Sequence, residues 1–512
     1  MANGRLGGQV GLSSSPHGIA SAGKKGSRPM PRPPHLDNLI LNVDNYKHTH
    51  YAQYPEGTEY VSSYIESRGG RFPATQFVGL QAFLLDFLTR PITLEDVAVA
   101  EYVTREQGVH FNRDNWLGII NDHDGYLPVE IEAVPEGTVV PTKNVLVQLV
   151  NTDPKYYWVT SFFETALLRS VWYPTSVGTL SWSSKQVIRR ALEQTSDHPE
   201  MIRLYLHDYG ARGVSSQESA ALGGMAHLVN FSQSDTVPGN LAAQYYYNAV
   251  APAHSCVNME HASTSMWGRD GEAEALRNAI DYFGAEGIVG LLCDTFDHEN
   301  NIRNIVGGTL KEQIASFPGL IGARADSGDP VEVTIETVEM LMEAFGSETN
   351  SKGYRVLPPN LRVVQGDGLN LESHRQIYIE LARRGLAADN VLCGMGGGLL
   401  QQINRDTLNF GQKANAACIN GEWIDVKKTP TGDTMKHSKA GRLALRYVDG
   451  DYETVPRDSI PEEENVMVPV FRNGKLLKRW DFTDLIANSE REVPEYYYQD
   501  VVAPMADMQP VG

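Results

Sequence analysis

Four stretches in the later half of the chain share one pattern: an unbroken apolar run ending at Asp or Gly, a polar loop, then helical periodicity. The runs are "GIVGLLCD" to Asp294, "GLIGARAD" to Asp326, "LRVVQGDG" to Gly368 and "NVLCGMGGG" to Gly398. Continuous apolar runs suit strands buried on both faces. Their alternation with helical segments such as "PVEVTIETVEMLMEAF" and "NLESHRQIYIELARRG" predicts a parallel sheet. Four such units fit an irregular β/α barrel, a fold that carries its functional groups at the C-terminal ends of its strands. Asp294, Asp297, Arg324, Asp326, Asp367 and Gly396 to Gly398 all fall there. Any one of them alone reads more readily as an ordinary turn residue. Four runs in succession that end in polar or glycine clusters are harder to assign to turns.

The flanks alternate instead. "YLPVEIEAVPEGTVVPTKNVLVQLVNTD" and "NGEWIDVKKTPTGDTMKHSKAGRLALRYVDGDYETV" show strand-like alternation cut by turn residues, which predicts antiparallel hairpins. The first 35 residues are rich in Gly, Ser, Pro and basic side chains and hold almost no large apolar groups, so they cannot offset the entropy of ordering. The expected class is α/β, with a β-rich sub-domain built from N- and C-terminal segments. Its parts are a disordered leader at 1–35, an N-terminal part with β hairpins at 36–180 and the barrel core at 181–410. A C-terminal β-rich part at 411–502 packs with the N-terminal part, and a flexible tail follows at 503–512.

Composition narrows the function. A formal net charge of -19 over 512 residues repels polyanions at long range and argues against nucleic-acid binding. Any phosphate site then needs local clusters of basic residues. Cys256, Cys293, Cys393 and Cys418 lack CxxC spacing, which points away from zinc and disulfides and toward a reducing, cytoplasmic setting. No apolar run approaches the roughly 20 residues of a membrane helix, so no membrane partner is expected.

Local chemistry then singles out several loops. "RADSGDP", Arg324 to Pro330, offers a guanidinium for phosphate and carboxylates for ribose hydroxyls. "GMGGG", Gly394 to Gly398, resembles a phosphate cradle whose backbone N–H groups can approach an anion. A glycine-rich turn without a ligand fits it about as well. It has neither the GxGxxG fingerprint nor the P-loop lysine. In "LHDYGARGVSSQESAALGG", Tyr209 can stack on a flat ring and Arg212 can bind phosphate, and a helix begins at a serine cap. Asp235, in "NFSQSDT", can accept from an amide NH2. In "SCVNMEHASTSMWG", His261 alone reads more readily as a packed imidazole.

Together these segments resemble the nicotinamide phosphoribosyltransferases. "DNYKHTHYAQYPEGT", "LHDYGARGVSSQES", "HLVNFSQSDTV", "EHASTSMWG", "RADSGDP", "RVVQGDG" and "GGGLLQQINRD" occur in that family's order and approximate spacing, from Asn38 to about Lys478. The resemblance implies a type II phosphoribosyltransferase fold and a homodimer with active sites at the subunit interface. The implied substrates are nicotinamide and phosphoribosyl pyrophosphate, with Mg2+ as cofactor and ATP as an optional activating substrate. By resemblance, Tyr209 stands where the family stacks a phenylalanine on the nicotinamide ring, and Tyr46 of the partner subunit covers the other face. Asp235 resembles the acceptor for the carboxamide NH2. Arg212, Arg324 and the adjacent Ala325 are implied in phosphate and pyrophosphate binding, and Asp326, Gly366 and Asp367 in holding the ribose. Gly397 and Arg405 resemble the 5'-phosphate site, with Arg68, Lys413, Lys428 and Lys436 as further anion ligands. His261 matches a histidine that ATP phosphorylates, and Asp294 or Asp297 is implied in orienting it or in a metal-linked role. Asp294 and Asp326 are thus expected beside His261 among the catalytic groups.

Rival functions predict other residues. A nicotinate phosphoribosyltransferase is expected to lack an acid at position 235. An idle nucleotide-binding protein is expected to have gaps in the set His261, Arg324, Asp326, Asp367 and Arg405. An unrelated barrel lyase needs a strand-end lysine, and none ends these runs.

Overall fold

The apolar runs form the strands they predict: Ile288–Leu292, Leu320–Ala325, Leu361–Gln365 and Val391–Met395, mostly buried. The computed structural model describes residues 37–284, 287–325, 327–429, 437–506 and 508–509. The expected leader, Asp326 and Lys436 lie outside these residues. Helices Pro330–Phe345 and Leu371–Arg383 follow two of the strands, each started by a side-chain cap. Asp329 accepts from the backbone N–H groups of Val331 and Glu332, both at 3.0 Å. That carboxylate of "RADSGDP" therefore starts a helix, a task worth about 1 kcal/mol.

Three shorter strands, Leu206–Asp208, Gln233–Ser234 and Val257–Asn258, complete a seven-stranded sheet. Its order is 233–234, 206–208, 391–395, 361–365, 320–325, 288–292, 257–258, with every neighbouring pair parallel. The two edges then meet. Gln233 forms a parallel bridge with His254, and the N–H of Ser234 donates to the His254 carbonyl at 3.0 Å. Because His254 leads directly into the last strand, the sheet curls back on itself as an irregular barrel.

A second seven-stranded sheet is antiparallel, and it interleaves the two ends of the chain. Its order is Glu422–Asp425, Phe410–Ile419, Thr58–Ser67, Val145–Asn151, Val129–Ala133, Val468–Arg472, Lys475–Leu476. Its central strand, Val145–Asn151, is buried along nearly its whole length. The β-rich unit is thus built from N- and C-terminal segments together.

Two expected boundaries fall elsewhere. The cut at 180 lies inside the 32-residue helix Glu164–Thr195, most of whose residues are buried. The cut at 410 lies at the first residue of the strand Phe410–Ile419. Thr179 and Thr175 of the helix accept from the backbone N–H groups of Gln76 and Val78 at 3.0 and 3.3 Å, tying the N-terminal part to the barrel. The tail at 503–512, expected to be flexible, places Met505 and Met508 in the core at 0 % exposure. Their long apolar side chains outweigh the low propensity of their neighbours. Among the described residues no helix is long and apolar enough to cross a membrane.

Candidate active site

A cavity of about 640 Å³ opens at the C-terminal ends of the barrel strands. Tyr209, Arg212, Asp235, His261, Arg324, Gly366, Asp367 and Gly397 all line it, contributed by the C-terminal ends of six different strands and the loops that follow them. Only the closed sheet brings them together, since they span nearly 190 residues of sequence.

The aromatic shelf is packed to contact. The Tyr209 ring stacks on His207 with centroids 4.3 Å apart and planes at 19°. A Cβ on Gly394 would sit 2.3 Å from its Cε2, and one on Gly366 would sit 3.1 Å away. These two glycines leave the ring the space it occupies. The Tyr209 N–H donates to the Met395 carbonyl at 2.9 Å, so the shelf is also fixed through its backbone.

Asp235 follows the two-residue strand Gln233–Ser234, and its N–H donates to the Asp208 carbonyl at 2.9 Å. His207 Nε2 lies 2.9 Å from Asp235 Oδ1, and the Ser255 hydroxyl donates to the same oxygen. Burial pushes the Asp235 carboxyl up. The hydrogen bond and charge of His207, the Ser255 hydroxyl and the Arg324 guanidinium outweigh it and hold the group below its ordinary value. Asp208, fully buried, accepts from the N–H of Gly210 at 2.7 Å and from Ser234, locking the turn that carries Arg212.

Arg324 Nη1 donates to the Met259 carbonyl at 2.6 Å, which joins the barrel loop to the segment just before His261. His261 starts a one-turn helix, and its Nε2 lies 3.3 Å from Asp294 Oδ1. The imidazole side chain is 49 % exposed and the carboxylate 2 %, so the acid lies beneath the ring. Asp297 instead caps the helix His298–Asn300, accepting from the Asn300 N–H at 3.0 Å. Of the two acids expected near the histidine, Asp294 faces it. Met259 and Glu260 line the cavity as well.

Other expected residues lie apart from this cavity. Ala325 is buried at the end of its strand. Arg405 points to Asp406 at 3.0 Å, while Gln402 takes a place in the cavity wall. Tyr46 is 57 % exposed on the segment Asn45–Ala52, its ring 5.1 Å from that of His50. Arg68 and Lys413 stand on or beside the antiparallel sheet. Arg68 Nε donates to the Asn409 carbonyl at 3.0 Å, and Lys428 is exposed beyond the adjoining strand. Burial, and then the cations Arg68, Lys428 and Lys47 against the pull of Glu164, hold the Lys413 ammonium below its ordinary value. These cations form a cluster of their own. Among the described residues no group of three His, Cys, Asp or Glu side chains is placed to hold a metal ion.

Sequence reasoning did not single out His207, Ser255, Asn258 or Gln402. His207 and Ser255 lie inside two of the quoted stretches, and nothing in their spacing marks them. Their role arises from contacts across strands.

Comparison with known proteins agrees with this arrangement. The sequence model of the nicotinate phosphoribosyltransferase (NAPRTase) family matches residues 204–474, and that of the nicotinamide phosphoribosyltransferase N-terminal domain matches residues 38–131. A nicotinamide phosphoribosyltransferase of Xanthomonas campestris pv. campestris is 44% identical over 464 residues, covering 89% of this chain and 99% of that protein. One of Acinetobacter baylyi is 28% identical, covering 86% and 94%. Among solved structures, a nicotinate-nucleotide pyrophosphorylase from Pyrococcus furiosus shares the fold with a TM-score of 0.60 at 15% identity, covering 90% of this chain and 97% of that one. Human nicotinic acid phosphoribosyltransferase does so with a TM-score of 0.54 at 15% identity, covering 90% and 99%. The chain belongs to the nicotinate phosphoribosyltransferase family and is a phosphoribosyltransferase enzyme.

Proposed function

We propose that the enzyme transfers phosphoribosyl from phosphoribosyl pyrophosphate to nicotinamide, giving nicotinamide mononucleotide and pyrophosphate. The observation that carries this reading is Asp235, an anionic acceptor set in the cavity wall near the Tyr209 ring. A carboxamide can donate its NH2 to that carboxylate. Nicotinate would bring a second negative charge to it and be repelled. The relatives named above as nicotinamide enzymes are in line with that choice.

The chemistry follows from charge. The C1–O bond to pyrophosphate breaks with its electron pair leaving on oxygen, and the ring nitrogen lone pair forms the new bond to C1. The sugar passes through an oxocarbenium-like state. Arg212 and Arg324 face the growing negative charge of the leaving group. The attacking nitrogen carries no proton, so neither a protein nucleophile nor a base that removes its proton is needed. The ring becomes a pyridinium as the bond forms, and an aromatic face such as Tyr209 attracts a cation more than a neutral ring, which favours the transition state. Asp367, with Asp326, is assigned to the ribose hydroxyls, and Gly397 to the 5'-phosphate.

Mg2+ fits this site as an ion shared with pyrophosphate, needing one or two protein carboxylates. When bound it would neutralise charge on the leaving group.

The site is assigned to a homodimer. Among the described residues, the cavity of one chain is lined by the guanidiniums of Arg212 and Arg324, few for a substrate with a phosphate and a diphosphate. Exposed Tyr46 and the cluster of Arg68, Lys413 and Lys428 are assigned to the cavity of the partner subunit, together with Lys436 and Arg405. ATP is assigned as an activating substrate that phosphorylates His261. With Nε2 turned toward Asp294, the other ring nitrogen is assigned as the phosphoryl acceptor.

The test measures pyrophosphate release with nicotinamide and with nicotinate, each with and without ATP. Nicotinamide turnover stimulated by ATP is expected. Turnover of nicotinate alone overturns the reading, and indifference to ATP removes the phosphohistidine while leaving the transfer. Asp235→Asn should move the preference toward nicotinate by at least 10-fold, the equivalent of about 1.4 kcal/mol. His261→Ala should abolish the ATP effect and leave residual transfer.

A further inference from the structure

We infer that His207 is a positioning residue for nicotinamide recognition, an inference that rests on the reaction proposed above. One imidazole serves both recognition elements. Its face stacks on Tyr209 at 4.3 Å, and its Nε2 meets Asp235 Oδ1 at 2.9 Å. His207 stands on the strand Leu206–Asp208 and Asp235 directly follows the neighbouring strand Gln233–Ser234, and the two strands pair in parallel with His207 opposite Gln233. The ring stack, the hydrogen bond and the strand pairing therefore set the distance between shelf and acid as a unit.

The donor count gives the arrangement its direction. Asp235 Oδ1 receives both His207 Nε2–H and the Ser255 hydroxyl, which engages both lone pairs of that oxygen. The carboxamide NH2 is thereby directed to Oδ2. An acceptor that can turn would present either oxygen, whereas this one presents one. The His207 side chain is 9 % exposed and Asp235 38 %, so the support is buried and the supported group reaches the cavity. Charge-assisted hydrogen bonds of this kind are the stronger ones in proteins. The same bond helps hold Asp235 in its ionised, accepting form.

His207 also lines a second cavity of about 440 Å³ inside the barrel, which shares Tyr209 and Asn258 with the first. It therefore stands behind the shelf, where it supports Tyr209 and Asp235 and makes no contact with the reacting atoms.

Two substitutions separate its functions. His207→Phe keeps a flat ring against Tyr209 and removes the donor to Asp235. His207→Gln removes the ring and keeps an N–H donor at about the reach of Nε2. Steady-state kinetics with the full-length enzyme should show a rise of about 10-fold in the nicotinamide KM for His207→Phe. Its KM for phosphoribosyl pyrophosphate should stay within 2-fold, and kcat should fall less than the nicotinamide KM rises. His207→Gln should recover at least half of the lost nicotinamide affinity on a logarithmic scale. An unchanged nicotinamide KM in His207→Phe overturns the inference, as does an equal loss toward both substrates or the absence of any recovery in His207→Gln. If the unsubstituted enzyme makes no nicotinamide mononucleotide, the underlying reaction is wrong, a result distinct from all of these.

Discussion

The contact between Gly394 and Tyr209 is one of the tightest constraints in the site. A methyl group at position 394 would have to occupy space 2.3 Å from an aromatic carbon that is itself backed by His207. The ring, hemmed in on both sides, has to tilt. Gly394→Ala should therefore raise the nicotinamide KM by 10-fold or more while the thermal midpoint changes by only a few degrees, measured by initial rates and calorimetry. A melting point that collapses instead would show that the glycine serves the barrel and not the shelf. At this scale the sequence was legible where a motif names the residue, as for Tyr209, Asp235, Arg324 and His261. It was silent on His207 and Ser255, whose partner Asp235 lies 28 and 20 positions away and meets them only through strand pairing and a loop.

Elements divide along a similar line. The four long apolar runs were readable as strands, because burial on both faces leaves a continuous signal of five or six residues. The strands "LHD", "QS" and "VN" are too short to carry any period, and yet they position Tyr209, Asp235 and the approach to His261. The helix Glu164–Thr195 runs across the expected boundary at 180, and its serines and threonines, many of them buried, interrupt the apolar pattern that would mark it. The same helix carries Lys185, whose side chain is 2 % exposed and paired with Glu490 of the C-terminal segment. Burial, against the attraction of Glu490, lowers the lysine from an ordinary 10.5 to about 8. Removing Glu490 leaves a buried cation without its closest partner. Glu490→Ala should cost about 2 kcal/mol in denaturant unfolding, below the 3–5 kcal/mol of fully buried pairs because Glu490 is 39 % exposed and screened by water. Lys185→Met should be near neutral, since Glu490 keeps Arg189 at 3.3 Å. The unfolded chain holds the Lys185 proton up to about 10.5 and the folded chain only to about 8, so this lysine adds stability as pH rises between them. That slope should be absent in Lys185→Met.

For the whole molecule, the claim that matters is that each cavity takes residues from two chains. Subunit mixing tests it. Tyr46→Ala and Arg212→Ala should each be nearly inactive alone. In a mixed dimer, the barrel of the Tyr46→Ala chain meets an intact Tyr46 of the partner subunit, and one of two sites is whole. Random reassociation makes half of the dimers mixed, so about a quarter of full activity should return. No recovery after verified exchange would place Tyr46 outside the partner's cavity. The overall class, a barrel with a β-rich unit drawn from both ends, was legible because each type of sheet has its own hydrophobic period. The boundaries were not, because one helix and one strand run across them.

The interleaved antiparallel sheet has a consequence for how the chain is made. Thr58–Ser67 pairs on one side with Val145–Asn151 and on the other with Phe410–Ile419, and the Ser67 hydroxyl reaches the Leu408 carbonyl across 341 residues. At roughly 5–20 residues per second, a ribosome needs about 20–70 s to supply that second partner. Throughout that interval the nascent chain carries a strand edge whose final partner has not been made, the kind of surface that other chains can capture. Yield in cells should therefore depend on chaperone supply and growth temperature more steeply than the stability of the finished enzyme would suggest.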